Sequence, residues 1–593
     1  MKLTLLPRVD QRIMDAWVLP PRLLIELEQI GIADWDDDWL VLHPYVRGVL
    51  FEDAEKMLSA EERRRLLDVA VRSSLLERDP LSALRAAFLI QDLELATEVV
   101  FQNMIELLES RDTTYRVFTS LPASQLRGHP VLTIMLVLLS HMDPQTRPRA
   151  VQLLASESLF QRLQPGRGTH RERVAYQIFE VAALRLTPLA TSVLPRVRRA
   201  FDELAELSDE DMEKLGRLGP ALQVHLGISA FYLRNYALAR QCFELAEARH
   251  TEAGRNDRVD PLALRGGLAA LSGELPTARR LLDEADRATW PAGWRTSSPA
   301  DFFNLGRAIL ALEEGDTHSA DAYIRAAGPI EDVIEHWTLF AWVRSRRDQP
   351  AGEADLGLLR LKQLRKTRGP APGTALSRSF LDAAEAELLL STGDLDAARR
   401  VAARSAKHSD TCRVVLAWAE LALGRSSSAA RQAQRVVKDP LSAPRSHLEA
   451  DLVLLCVASR NEFEDEVRGI AERVAERLTE TELRSTLRFI APQDQDALTA
   501  ALIRAGVDRA TVSLIGSEIT AGDSISTRAT HLTSREQTVL ELLDETPALD
   551  EIADRLFVSR NTVKSQLASI YRKMGVSSRD AALTRAAVLG ILD

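Results

Sequence analysis

From Ser534 onward the apolar positions recur at helical spacing in four short runs, each with its own start and stop signals. Thr533 followed three residues later by Glu536 forms a capping box and predicts a first helix from Ser534, with Val539, Leu540, Leu542 and Leu543 on its apolar side. Pro547 ends that helix, and a second starts near Leu549 with Ile552 and Leu556 on one face. Ser559 caps a third, on which Val563, Leu567 and Ile570 repeat at i, i+4 and i+7. Gly575 stops it, Ser578 caps a fourth, and Ala582, Ala586 and Leu589 form the last stripe. Only Phe557, Val558 and Ser559 join the second helix to the third. That is the turn length of a helix-turn-helix, in which the second helix enters the major groove of duplex DNA.

The body of the chain carries a weaker pattern between residues 80 and 440: a short turn with a small residue five positions on. Gln91-Asp92-Leu93 precedes Ala96, Arg234-Asn235-Tyr236 precedes Ala239, and Gly273-Glu274-Leu275 precedes Ala278. Gly315-Asp316-Thr317, Gly393-Asp394-Leu395 and Gly424-Arg425-Ser426 precede Ala320, Ala398 and Ala429. Four residues before these turns stand Ala87, Ala230, Ala269, Ala311 and Leu389, with Glu420 the exception. From Arg234 to Gly315 the turns recur roughly every 40 residues, and the gap to Gly393 leaves room for one degenerate copy, with its turn expected at Arg347-Asp348-Gln349. Each unit is then a helix, a tight turn and a second helix. Such a pair cannot bury its apolar face alone, so it stacks on its neighbours. An ordinary helical bundle with alanine-rich contacts is the alternative. Between Val507 and Thr530, Ser, Thr and Gly are frequent and helical periodicity is poor, which reads as a linker.

The chain has 593 residues and a formal net charge of −10, so any nucleic-acid affinity must be local. It is local: Arg555, Arg560, Lys564, Arg572, Lys573, Arg579 and Arg585 lie in or after the third C-terminal helix or just before it, while the acidic residues of this segment come earlier, apart from Asp580 and the terminal Asp593. Basic side chains beside a duplex release condensed counterions. Cys242, Cys412 and Cys456 fit neither a metal spacing nor a disulfide framework, which points to a reducing cytoplasm. No apolar run is long enough for a membrane span, and the N-terminus lacks a secretion signal. No nucleophile–base constellation, metal spacing or phosphate loop supports an enzyme. No Gly is followed by Lys, so ATP is not expected to bind; no other cofactor is expected.

The C-terminal segment resembles the DNA-binding domain of the LuxR family of bacterial regulators. The resemblance rests on Leu532-Thr533, Arg535-Glu536, Val539-Leu540, Leu543, Glu551-Ile552-Ala553, Leu556, Val558-Ser559, Thr562-Val563-Lys564, Leu567, Ile570-Tyr571-Arg572-Lys573, Gly575-Val576 and Arg579. Two departures stand out. Thr546, Pro547, Ala548 and Leu549 replace the usual glycine and polar residue of the first turn, and Ala568 stands where family members often carry a DNA-contacting lysine. The resemblance implies that Lys564 enters the major groove or meets a phosphate beside it, with Ser565 and Ala568 facing base edges. Thr562, near the helix N-terminus, donates its hydroxyl to a phosphate, flanked by Arg560 and Asn561. Arg572 and Lys573 read as backbone contacts. Arg555, Arg579 and Arg585 suit solvated or intradomain roles equally well.

The repeats resemble tetratricopeptide (TPR) repeats, most closely at Leu226-Gly227, Ala230, Ala239, Phe243 and Ala246. Trp35 to Pro44 reads as a strand leading into a helix, and His43-Pro44, Arg47 and Leu50 resemble the end of the winged-helix segment of MalT-like regulators. In those proteins it joins a nucleotide-binding ATPase module to a helical-repeat sensor of a small-molecule inducer. The expected fold class is all-α: a TPR-like α-solenoid followed by a small four-helix helix-turn-helix domain. The expected divisions are a winged-helix-like remnant over 1–50, repeats over 51–506, a linker over 507–530 and the DNA-binding domain over 531–593. The chain is read as a MalT-like regulator that begins after its ATPase module, or a relative that never had one. The expected partners are double-stranded DNA, a second copy on DNA, RNA polymerase, and a small-molecule or protein effector, with no membrane. The expected role is activation of transcription. The alternative is an interaction scaffold whose C-terminal domain mainly dimerises. Trp290, Trp294, Trp337 and Trp342 can line a groove, though core packing accounts for each more simply.

Overall fold

A computed structural model describes residues 2–507 and 534–586, except 123, 127, 143–145, 147–148, 151, 154–155, 158–168, 186–193, 216–217, 253–258, 289, 291–293, 295–297, 331–334, 350–351, 370–374, 547, 557, 575, 577, 580–581 and 584–585. Among the described residues the protein is all-α apart from one small N-terminal sheet. It divides into two compact units, Met1–Leu184 with Ser192–Ser229, and Arg185–Thr191 with Ala230–Asp593. Among the described residues no helix is long and apolar enough to cross a membrane.

In the first unit the strand expected before Pro44 is one of three. β1 (Arg8–Asp10), β2 (Ala33–Asp36) and β3 (Trp39–Leu42) form an antiparallel sheet in the order β1-β3-β2. The reversal between β2 and β3 is short, and Asp37 takes a positive φ of 51° there. His43-Pro44 then opens the helix Pro44–Met57, with proline in the first turn, where its missing N–H costs nothing. Arg47 donates to the carbonyl oxygens of Thr4 and Leu6, pinning this helix to the N-terminal turn. Asp10 is buried, caps the helix Gln11–Ala16 through the Ile13 amide, and accepts from Arg78 at 2.6 Å, which ties the sheet to the following helices.

The repeat turns lie where the small residues place them. In the second unit the helix pairs are Val259–Ser272 with Leu275–Arg287, Ser298–Glu313 with Thr317–Ala326, and Trp337–Asp348 with Ala354–Arg368. They continue as Ala375–Thr392 with Leu395–Ser405, Asp410–Ala422 with Ser426–Val437, and Pro444–Arg460 with Glu464–Thr481. The first residue of all six expected turns, Gln91, Arg234, Gly273, Gly315, Gly393 and Gly424, has positive φ. The next amide donates back to the residue four before the turn, as in Glu274 to Ala269 (2.8 Å) and Asp394 to Leu389 (3.0 Å). This closes the preceding helix with a left-handed residue. The alanines five residues on are buried at the helix–helix contact.

The degenerate copy requires a correction. The first helix of this pair runs on through Asp348, and the turn comes at Gly352, with φ 69°. Glu353 donates to the Asp348 carbonyl at 2.8 Å, and the small residue five positions on is Gly357, not alanine. A Cβ at Gly357 would stand 2.9 Å from the tips of Leu388 and Asp348, so a larger residue there would have to displace both side chains. A further copy lies beyond residue 440, with Glu462 at φ 56° and Val467 in place of the alanine.

Consecutive pairs stack through their first helices. A Cβ on Gly267 would collide with the Phe302 carbonyl, so glycine sets the closest approach. The last pair also meets the first ones. Arg445 donates to Glu313 at 2.7 Å, and the same carboxylate accepts from the backbone amides of Arg484 and Ser485 (2.9 and 2.7 Å) and from the Ser485 hydroxyl. Burial alone would raise the Glu313 carboxyl, but the Arg445 charge and the Ser485 donors outweigh it and hold the group at about 2, below its ordinary 4.5. A depressed carboxyl stabilises the fold above its unfolded pKa, and that contribution drains away as pH falls from about 4.5 towards about 2. Urea unfolding followed by circular dichroism should therefore show a loss of stability below about pH 4.5 that is shallower in Glu313→Gln. Equal slopes would remove Glu313 from the acid response.

Trp294, Trp337 and Trp342 are buried, and Trp290 packs edge-on against Trp294 with ring centroids 4.0 Å apart. Core packing thus accounts for these rings, although Trp342 also lines a small void.

Candidate nucleic-acid interface

The C-terminal helices fall at Ser534–Glu545, Leu549–Arg555 and Arg560–Met574, matching the expected starts at Ser534, Leu549 and after Ser559. Their shared core is Val539, Leu540, Leu543, Ile552, Ala553, Val563, Leu567 and Ile570, joined by Ala582 and Ala586 from the fourth stripe. Leu589 and Thr533 lie outside the described residues, as does Arg585. Ser559 caps the third helix, accepting from the Thr562 amide at 3.2 Å.

Polar clasps hold the first helix against the next two. Arg535 donates to the Leu556 carbonyl at 2.8 Å, which terminates the second helix. Glu536 is buried and accepts from the Ser569 hydroxyl at 2.9 Å, linking the first helix to the third. Arg579 donates to the Leu543 carbonyl at 2.8 Å, at the basic-favouring C-terminal end of the first helix. Arg555 bonds Glu545 and Glu551, both at 2.6 Å, so it serves the domain itself. Thr546 takes over the first turn, donating to Glu551 at 2.9 Å and accepting from the Ala548 amide at 3.2 Å. The clasp roles of Arg535 and Glu536 were hidden in the sequence, because their partners lie 21 and 33 residues away.

With Val563, Leu567 and Ile570 committed to the core, the opposite face of the third helix is free. Arg560, Asn561, Thr562, Lys564, Ser565 and Ala568 are all exposed on it. Arg560 lies 3.5 Å from Asp550, a weak exposed pair that a phosphate can displace. The Thr562 hydroxyl sits 2.8 Å from the Ser559 hydroxyl. If Ser559 donates, the Thr562 proton remains available to an anion. Arg572 and Lys573 belong to the last turn of the same helix, and their side chains lie outside what the structure describes.

Three helices around one core, with a short turn before a helix whose outer face is polar and cationic, define a helix-turn-helix DNA-binding module. Comparison with known proteins agrees. Residues 530–586 match the sequence profile of bacterial regulatory proteins of the luxR family. The spore germination protein GerE of Bacillus subtilis (strain 168) is 37% identical over 62 residues, which is 10% of this chain and 84% of that protein. The chain belongs to the luxR family, and it is a DNA-binding transcription regulator.

Proposed function

We propose that this regulator binds its operator as a homodimer, with Arg560–Met574 in the major groove and the TPR-like repeats as the input domain that senses a ligand or protein partner. The observation that carries the DNA reading is the division of that helix into a buried face, Val563, Leu567 and Ile570, and an exposed one, Arg560, Asn561, Thr562, Lys564, Ser565 and Ala568. On this reading Lys564 reads a base or an adjacent phosphate, Ser565 and Ala568 face base edges, Thr562 meets a phosphate, and Arg572 and Lys573 hold the backbone. Ala568, which has no donor, gives an operator preference different from that of relatives with lysine there. The role is activation through RNA polymerase, in the bacterial cytoplasm.

The domains proposed are the winged-helix-like segment 1–50, the repeats 51–506, the linker 507–530 and the DNA-binding domain 531–593. A fragment from Thr527 to Asp593 should fold alone, because among the described residues its core closes without any from the repeats. It should bind DNA weakly as a monomer, since so small a domain buries little surface, and tightly only as two copies on half-sites about one helical turn apart. Circular dichroism and footprinting on spaced half-sites check both statements. An unfolded fragment would contradict the boundary, and spacing-independent affinity would contradict the dimer.

A further inference from the structure

A small void lies among the repeats of the second unit. Its apolar walls come from Phe231, Trp342, Leu376 and Phe380, and its polar walls include Asp410 and Arg445. The enclosed space is about 30 Å³, and about 480 Å³ with the open mouth included. As it stands, the inner part holds about one water molecule.

Three features meet at this void. Asp410 is 7% exposed; one carboxylate oxygen accepts from Arg234 and from Ser442 (2.9 Å), while the other, Oδ1, is buried with no partner among the described residues. Arg445 is 4% exposed; its terminal nitrogens serve Glu313 and the Ala270 carbonyl, while Nε is buried with no partner among the described residues. The helix Pro444–Arg460 begins at this void with Ala443 in the cap position, so no side chain caps the amides of its first turn. A buried acceptor, a buried donor and an uncapped helix N-terminus each cost free energy unless something meets them.

The charge balance selects what can meet them. Asp410 is already neutralised by Arg234, and Arg445 by Glu313. A ligand with net charge would enter uncompensated. A zwitterion would not: its ammonium meets Asp410 Oδ1, and its carboxylate meets Arg445 Nε and the first-turn amides, where the helix dipole favours an anion. The aromatic and leucine walls suit an apolar substituent. We propose that this void is the collapsed form of a binding site for a free α-amino acid with an apolar side chain. Arg234 keeps its bond to Asp410 Oδ2 in the liganded site, so the ammonium meets only the other oxygen, Oδ1. This rests on reading the repeats as the input domain.

The test uses the full chain, without DNA, in calorimetry and thermal unfolding with L-leucine and L-phenylalanine. The controls are 3-methylbutylamine and 4-methylpentanoic acid, which lack the carboxylate and the ammonium respectively. The amino acids should bind saturably and raise the melting temperature, and the controls should not. Asp410→Asn should weaken binding about tenfold or more. Ala443→Asp should cap the helix with its own carboxylate, keep or raise the unliganded melting temperature, and abolish binding. Lack of binding by either amino acid, equal binding of a control, or unchanged binding in Ala443→Asp would overturn the proposal. An amino acid that binds but leaves operator affinity unchanged would keep the site and remove the input reading instead.

Discussion

Arg346→Ala is expected to destabilise the repeat region by about 3–5 kcal/mol, the largest effect of any single substitution considered for this protein. Arg346 is 5% exposed and lies in the helix Trp337–Asp348. Its guanidinium donates to both oxygens of Glu387 (2.9 and 3.2 Å) and lies 3.4 Å from Glu449, with its plane over Trp342 at 4.3 Å. Glu387 and Glu449 are themselves buried, on the helices Ala375–Thr392 and Pro444–Arg460. Removing the cation leaves two carboxylates in the interior facing each other without it, which costs far more than the net value of the original pairs. Urea unfolding monitored by circular dichroism measures the loss. Replacing all three residues by apolar ones of similar volume should cost much less than the single change, because no buried charge is then stranded. A single substitution within ~0.5 kcal/mol of wild type would show that loss of Arg346 strands no buried charge.

That triad also marks where the chain's sequence stops being informative. The turn positions were readable because a left-handed residue and a small residue five positions on are local requirements. Gln91, Arg234, Gly273, Gly315, Gly393 and Gly424 all satisfy them. The Gly352 turn was misplaced because a polar triplet, Arg347-Asp348-Gln349, resembled a turn while its first two residues continue the helix. The Glu462 turn was missed because a glutamate takes the left-handed position and Val467 replaces the alanine. Two of the three N-terminal strands were missed, since β1 has only three residues and β2 has a mostly exposed, acidic face. Arg346 with Glu449, and Arg445 with Glu313, are joined over 103 and 132 residues. Periodicity within one helix carries no trace of such partners.

The C-terminal domain was far more legible. Its core is built from positions three and four apart on short helices, so the spacing of Val563, Leu567 and Ile570 alone assigns the buried face. The exposed face follows by exclusion, and Lys564 is the residue on which this assignment is most exposed to test.

Lys564→Ala should leave the domain folded, since an exposed lysine contributes little to stability, yet weaken operator binding. Titrating operator and scrambled DNA at several salt concentrations separates the two modes of contact. A phosphate contact predicts weaker binding to both DNAs and a salt slope reduced by about one unit. A base contact predicts the loss of roughly 1–3 kcal/mol of discrimination at a single operator position. Either result places Arg560–Met574 against DNA as proposed. Unchanged affinity of Lys564→Ala for both DNAs, at every salt concentration, would contradict it.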